Sequence, residues 1–189
     1  MSKIFTTISS GKFKGKKLEL PSLKTTRSTK SIVKESFFNS VRYELRPLVF
    51  IEGFGGSGVM ACEAFSNGVK NALAIEIDNE AFKLTQKNLN SIDNTNLKAI
   101  KGDSFKLLPD IINKSSDKVL LYLDPPFDFR DGFKDIYNDL IDLISSLNKQ
   151  NIYMIVFEHS SDFKFEESLA TFKLIKTKKF GTTTLSYFI

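Results

Sequence analysis

The chain has 189 residues, 41% of them hydrophobic, which suits one domain with a sizeable core. Its single cysteine, Cys62, excludes an intrachain disulfide framework, and with His159 as the one histidine no cysteine- or histidine-based metal centre is expected. Net charge is +5, but residues 1–50 hold eleven Lys or Arg against three Glu, net +8, leaving −3 for 51–189, so the front end is the part suited to a polyanion.

In chain order, short strands are expected at 4–8 and 16–20, joined by Ser9-Ser10-Gly11-Lys12-Phe13-Lys14-Gly15, a glycine-bounded basic loop. Lys12, Lys14 and the adjoining Lys16 are candidate phosphate contacts. After an irregular stretch to Arg27, Ser28 or Thr29 is placed to cap a helix whose stripe Val33, Phe37, Val41, Leu45 recurs every fourth residue, flanked by Ile32 and Phe38. Lys30, Lys34 and Arg42 fall outside the stripe, which predicts a helix that docks on the body and still shows a basic face. Pro47 closes it.

From Leu48 onward strands and helices alternate: strands at 48–52, 71–77, 97–101, 118–123 and 151–158, helices at 57–67, 79–92, 104–113 and 133–147. This pattern predicts a mostly parallel, doubly wound α/β sheet with ligand at the carboxyl ends of the strands. Near the end, 172–178 and 183–188 read as a hairpin around Gly181 that adds antiparallel pairing.

The candidate chemistry falls at those carboxyl ends. The first long strand ends in Glu52 and runs into Gly53-Phe54-Gly55-Gly56-Ser57-Gly58, glycines that allow a sharp turn into a helix and close approach of a ligand to the main chain. The next ends in Glu76-Ile77, placing an acid about twenty residues on, where a ribose diol is held. NAD and S-adenosylmethionine both carry that ribose. Asp103, in Gly102-Asp103-Ser104, suits either an adenine amine or the cap of the following helix. The apolar run Val119-Leu120-Leu121-Tyr122-Leu123 then ends in Asp124-Pro125-Pro126-Phe127. Two prolines remove two backbone donors and force a carbonyl-rich corner; Asp124 and a carbonyl beside the first proline accept from an exocyclic NH₂, and Phe127 offers a face for stacking. A dehydrogenase needs no such corner, whereas an amino-methyltransferase does. His159 reads as structural and Cys62 as a packing residue.

These segments resemble bacterial methyltransferases that modify the exocyclic N2 of a guanine in 16S ribosomal RNA, the guanine-966 type. The likeness runs nearly end to end. Ile8-Ser9-Ser10-Gly11-Lys12-Phe13-Lys14-Gly15-Lys16 looks like that family's opening hairpin, and Arg27-Ser28-Thr29 with Val33-Lys34-Glu35-Ser36-Phe37-Phe38-Asn39 is similar to its Arg-Pro-Thr and Val-Arg/Lys-Glu-Ser/Thr-Leu-Phe-Asn pattern. Phe54-Gly55-Gly56-Ser57-Gly58 resembles Phe-Ala-Gly-Ser-Gly, Tyr122-Leu123-Asp124-Pro125-Pro126-Phe127 matches the catalytic strand, and Phe180-Gly181-Thr182-Thr183-Thr184-Leu185 resembles the closing Tyr-Gly-x-Thr-x-Leu. Ser28 replaces a proline, Glu52 an aspartate and Gly55 an alanine.

The resemblance implies a Rossmann-like class I fold with a seven-stranded, mostly parallel sheet, an antiparallel C-terminal hairpin strand, and an N-terminal hairpin and helix. It divides the chain into a basic RNA-facing appendage, 1–46, and a methyltransferase domain, 47–189. It implies S-adenosylmethionine as cofactor, S-adenosylhomocysteine as product and no metal. Asp124, Pro125, Pro126 and Phe127 become catalytic; Glu52, Gly53, Phe54, Gly55, Gly56, Ser57, Gly58, Glu76, Ile77, Asp103 and Ser104 cofactor-binding; Lys12, Lys14, Lys16, Arg27, Lys30 and Lys34 RNA-binding. The implied partner is 16S ribosomal RNA, in the small subunit or an assembly intermediate, met by a cytoplasmic, membrane-free monomer. The alternatives are a DNA adenine-N6 methyltransferase, whose corner has the same chemistry, and a non-catalytic scaffold.

Overall fold

The computed structural model of the chain describes residues 3–21, 27–126 and 136–189, with the backbone alone for 27–30. Strands β1 (Ile4–Thr7) and β2 (Lys17–Leu20) form an antiparallel hairpin, and α1 (Arg27–Val41) follows. Then come β3 (Val49–Glu52), α2 (Val59–Ser66), β4 (Asn71–Glu76), α3 (Asn79–Asn90), β5 (Leu97–Lys101), α4 (Ser104–Asn113) and β6 (Val119–Leu123). The chain ends with α5 (Ile136–Ser146), β7 (Ile152–Ser160), β8 (Ser168–Leu169), β9 (Phe172–Phe180) and β10 (Thr183–Phe188).

The main sheet has the order β5-β4-β3-β6-β7-β10-β9-β8. Pairing is parallel from β5 to β7 and antiparallel from β7 to β10 and from β10 to β9. The alternation predicted from 48 onward is therefore what the chain builds, with two differences. The sheet has eight strands rather than seven, because the two-residue β8 pairs Ser168 with Lys173 and Leu169 with Phe172, a ladder too short to leave a hydrophobic pattern. Strand β7 also runs to Ser160, two residues beyond its predicted end, because β10 supplies partners up to Thr183.

The sheet is covered on both faces, which explains why all five residues of β6 are buried. Its alternate side chains serve two cores. Leu120 and Tyr122 join a cluster with α1, α2 and the front hairpin, whereas Val119, Leu121 and Leu123 join one with α4, α5 and β9. The stripe of α1 is buried as its spacing predicts at Val33, Phe37 and Val41, while Ile32, on the outer flank, is 56% exposed; Leu45 is also buried but follows the helix, which ends at Val41 rather than at the expected Pro47. The helix is already formed at Arg27, so Ser28 and Thr29 lie inside it rather than before it.

The hairpin shares the first core through Ile8 and Leu18, so the division at residue 46 marks no gap in packing. Its tip sits on the C-terminal end of α2. Ser66 Oγ donates to Ser10 O (2.6 Å) and accepts from Phe13 N (2.9 Å), Lys12 N donates to Ser66 O (2.8 Å), and the Phe13 and Phe65 rings stack at 6.0 Å. Gly11 makes this seat possible: its φ is +82°, and a Cβ there would lie 1.9 Å from Ser66 O. No helix among the described residues is long and apolar enough to cross a membrane.

Candidate active site

Strands β3, β4, β5 and β6 all point their carboxyl ends to one edge, and the loops leaving that edge carry the candidate groups. The loop after β3 is tied down on both sides. Gly53 N donates to Tyr122 O (2.9 Å) on β6, and Gly55 N to Ile75 O (2.7 Å) on β4. A Cβ on Gly53 would meet Leu123 Cδ2 at 2.6 Å, so glycine is what lets the loop lie against β6. Gly58, at φ +69°, opens α2 in a left-handed conformation that places it against Leu89 and Thr85 of α3.

Three acids converge there. Glu76 Oε2 accepts from Gly56 N (2.7 Å) and Oε1 from Asp78 N (2.8 Å); a carboxylate offers about four lone-pair positions, so acceptor capacity remains on both oxygens. Beside it Ile77 is 66% exposed, an apolar side chain standing in solvent next to a polar one. Glu52 is turned the other way: it is buried, its Oε2 accepts from Ala61 N (3.0 Å), and it satisfies the first turn of α2. Burial pushes its carboxyl up to about 8, backbone N–H groups of Ala61 and Met60 oppose the rise, and the Asp124 and Glu76 charges add to it. Asp124 follows β6 directly and is half-buried, with Pro125 buried and Pro126 exposed after it. Phe127 lies outside the described residues.

Behind the corner, Tyr122 Oη donates to Glu158 on β7; burial and the Glu158 and Asp124 charges hold the phenol proton well above its ordinary range. On the opposite face His159 is buried, with Nδ1 2.9 Å from Ser160 O and Nε2 2.8 Å from Ser186 Oγ, and its ring meets Phe165 edge-on at 5.0 Å. Burial depresses its pKa, as befits the structural role expected of it. Cys62 is buried, and burial pushes its thiol up. Among the described residues no group of three His, Cys, Asp or Glu is disposed to hold a metal.

The model of the family described as conserved hypothetical protein 95 matches residues 6–189. The chain belongs to that family. Among curated relatives, it is 28% identical over 126 residues to ribosomal RNA small subunit methyltransferase D of Buchnera aphidicola from Acyrthosiphon pisum, covering 67% of this chain and 64% of that protein. It thus spans just under two thirds of that relative's length. It is also 25% identical over 175 residues to YlbH of Bacillus subtilis, covering 92% of this chain and 93% of that one. In fold it is similar to the solved structure of yhhF from Escherichia coli, with a TM-score of 0.73, 22% identity and 97% of each chain covered. The fold is that of the Rossmann-like class I methyltransferases.

Within this member of the conserved hypothetical protein 95 family, some expected site residues are engaged elsewhere. Ser104 is buried and its hydroxyl donates to Gly53 O, so it closes the glycine loop against α4 instead of facing a ligand. Asp103 caps α4, accepting from Phe105 N (3.0 Å). Lys34 is a correction. Only 8% exposed, it pairs with Glu63 Oε1 and donates to Thr7 O (3.3 Å), because its stem crosses the core between α1, α2 and β1. It cannot form part of a basic outer face. Lys12, Lys14 and Lys16 are exposed, but at the Ser66 end of α2, about 12 Å of helix away from the carboxyl edge. The side chains of Arg27 and Lys30 lie outside the described residues.

Sequence reasoning passed over Glu158 and the lysines of β9. Strand alternation was the signal that could have found them: Tyr122 and Glu158 point to the same face of adjacent strands.

Proposed function

We propose that the protein transfers a methyl group from S-adenosylmethionine to the exocyclic N2 amine of a guanine in 16S ribosomal RNA, in the small subunit or an assembly intermediate. The observation that carries this reading is Asp124 at the carboxyl end of β6, between the glycine loop after β3 and the end of β7, in an Asp-Pro-Pro-Phe sequence. The curated relative named for ribosomal RNA small subunit methylation supports the substrate class.

The residues fit the cofactor. Glu76 retains acceptor capacity for a ribose diol, Ile77 supplies an apolar flank for adenine, and at Gly56 (φ +52°) an added Cβ would meet nothing within 4 Å, leaving the loop open to a ligand. The acids Glu76 and Asp124 make the edge electronegative, which suits a ligand with cationic sulfonium and ammonium groups, while buried Glu52 keeps its proton at neutral pH. Gly53, Phe54, Gly55, Ser57 and Gly58 shape that cradle, and Asp103 is near enough in the fold to serve the adenine amine while capping α4.

S-adenosylmethionine supplies a methyl group made electrophilic by its sulfonium. The chain's task is alignment and electrostatics. Guanine N2 is a poor nucleophile because its lone pair is delocalised into the ring. Asp124 and a carbonyl of the Pro125-Pro126 corner accept hydrogen bonds from its two N–H groups, favour localisation of the lone pair and stabilise the positive charge that develops on nitrogen, which then loses one proton to solvent. Phe127 stacks on the base and holds its amine in line. Pro125 and Pro126 stiffen the corner, so the acceptors need no reorganisation.

The test is methyl transfer from labelled S-adenosylmethionine to small subunits lacking the modification, to free 16S RNA and to duplex DNA, with the product nucleoside identified. N2-methylguanosine in RNA, lost in Asp124→Ala, is the expected result. Methyladenine in DNA would instead establish the adenine-N6 reading of the same corner.

A further inference from the structure

Strand β9 has the sequence Phe-Lys-Leu-Ile-Lys-Thr-Lys-Lys-Phe: four lysines and no acid in nine residues. It lies next to the end of the sheet, and among the described residues its outer side is paired where β8 meets Phe172 and Lys173 and where Leu174 N donates to Glu167 O. The register fixes which end of the sheet its lysines occupy. Lys178 is level with Leu185 and, through it, Glu158; Lys179 with Thr184 and His159; Lys176 with Tyr187 and Val156. Val156 in turn pairs with Tyr122, two residues before Asp124. Three of the four lysines therefore stand at the same edge as the candidate active site. Three interstrand spacings of about 4.8 Å separate them from β6, roughly 14 Å.

Lys3, Lys70, Lys83, Lys87, Lys106 and Lys114 each have a carboxylate partner. Among the described residues none of the β9 lysines has one. Lys176 lies over the Tyr187 ring at 5.8 Å, Lys179 is exposed, and Lys178 is held by two neutral hydroxyls, Ser36 Oγ (3.0 Å) and Ser40 Oγ (2.8 Å) of α1. Burial and, after it, the nearby Lys176 charge depress the Lys178 pKa. The tip of the front hairpin, by contrast, lies toward the other end of the sheet: Lys12 acts electrostatically on Asp93, which precedes β5.

Resting on the reading of the protein as an RNA methyltransferase, we propose that the outer edge of β9, through Lys176 and Lys179, binds the phosphates of the RNA strand flanking the target nucleotide. A separation of roughly 14 Å spans several nucleotides of a stacked RNA strand. The competing role for edge lysines is to block strand-to-strand association. The two make different predictions.

The experiment compares the intact protein with Lys176→Gln/Lys179→Gln and Lys176→Arg/Lys179→Arg, keeping Lys178 because it joins β9 to α1. Binding to 16S RNA is titrated between about 50 and 300 mM KCl, with the unfolding midpoint as a control for folding. The Gln pair is expected to flatten the plot of log K against log salt by about 1.5, some 0.7 to 0.9 for each phosphate no longer neutralised, and the Arg pair to restore it. An unchanged slope overturns the proposal, as does an equal loss in the Arg pair, or self-association of the Gln pair at unchanged RNA affinity. If the wild type methylates RNA and only the slope prediction fails, this inference alone is wrong. If the wild type neither binds nor methylates RNA, the reading beneath it fails too.

Discussion

Asp124 and Glu52 are both carboxylates at the carboxyl edge, yet their surroundings give them different work. Asp124 ends a strand at a half-buried corner, whereas Glu52 is sealed against the first turn of α2. If Asp124 acts as a hydrogen-bond acceptor for the target amine, Asp124→Ala should abolish turnover with cofactor affinity by calorimetry nearly intact. Asp124→Asn, which keeps an acceptor oxygen and loses the charge, should fall less. Glu52 makes a prediction about pH. Its folded carboxyl titrates at about 8 against an ordinary value of 4.5, so between these pH values the folded chain holds a proton that the unfolded chain has released. Stability must then fall as pH rises through that window. Between pH 6 and 8 the loss should be about 2 kcal/mol, and thermal melts should find this slope removed in Glu52→Gln.

At the scale of elements, the joint between the hairpin, α1 and α2 rests on a buried ion pair. Glu63 Oε1 accepts from Lys34 Nζ and, at 2.7 Å each, from Ser9 N and Ser9 Oγ, while Oε2 is buried without a hydrogen-bond partner among the described residues. Removing the cation alone leaves an uncompensated charge in the core. Lys34→Met should cost about 3 to 5 kcal/mol in urea unfolding, and Lys34→Met/Glu63→Leu should recover most of it, since an apolar pair of similar volume incurs no desolvation penalty. A double variant no more stable than the single one would show that the pair is needed for docking itself. The stripe of α1 was legible because helical periodicity is a local property; the inward turn of Lys34 was not, because a lysine off the stripe reads as solvated until α2 presents a carboxylate.

For the molecule as a whole, the front segment is part of the core. Ile8, Leu18, Val33, Phe37, Phe38, Val41 and Leu45 all pack in the cluster that holds Phe50 and Tyr122. At about 1.5 to 3 kcal/mol for each buried side chain, their loss amounts to roughly 10 to 20 kcal/mol, comparable with the whole stability of a domain. A chain beginning at residue 47 should therefore lack cooperative unfolding by calorimetry, while the full chain unfolds in one transition. An independently folding fragment would restore the two-part division at residue 46.

Several features were decided by the sequence itself. Alternating strand and helix periodicities gave the doubly wound body, and the prolines and glycines at Asp124-Pro125-Pro126 and residues 53–58 marked the edge of the candidate site, because both depend on short-range backbone constraints. Interactions between residues distant in sequence decided the rest. Ser104 is drawn into the loop by Gly53, Lys34 into the core by Glu63, and the hairpin tip onto Ser66. The register from β6 through β7 and β10 to β9 brings Lys176, Lys178 and Lys179 to the edge that carries the candidate site. Tyr122 and Lys176 are more than fifty positions apart and are brought level only through three successive strand pairings, an order of neighbours on which sequence pattern carries no information.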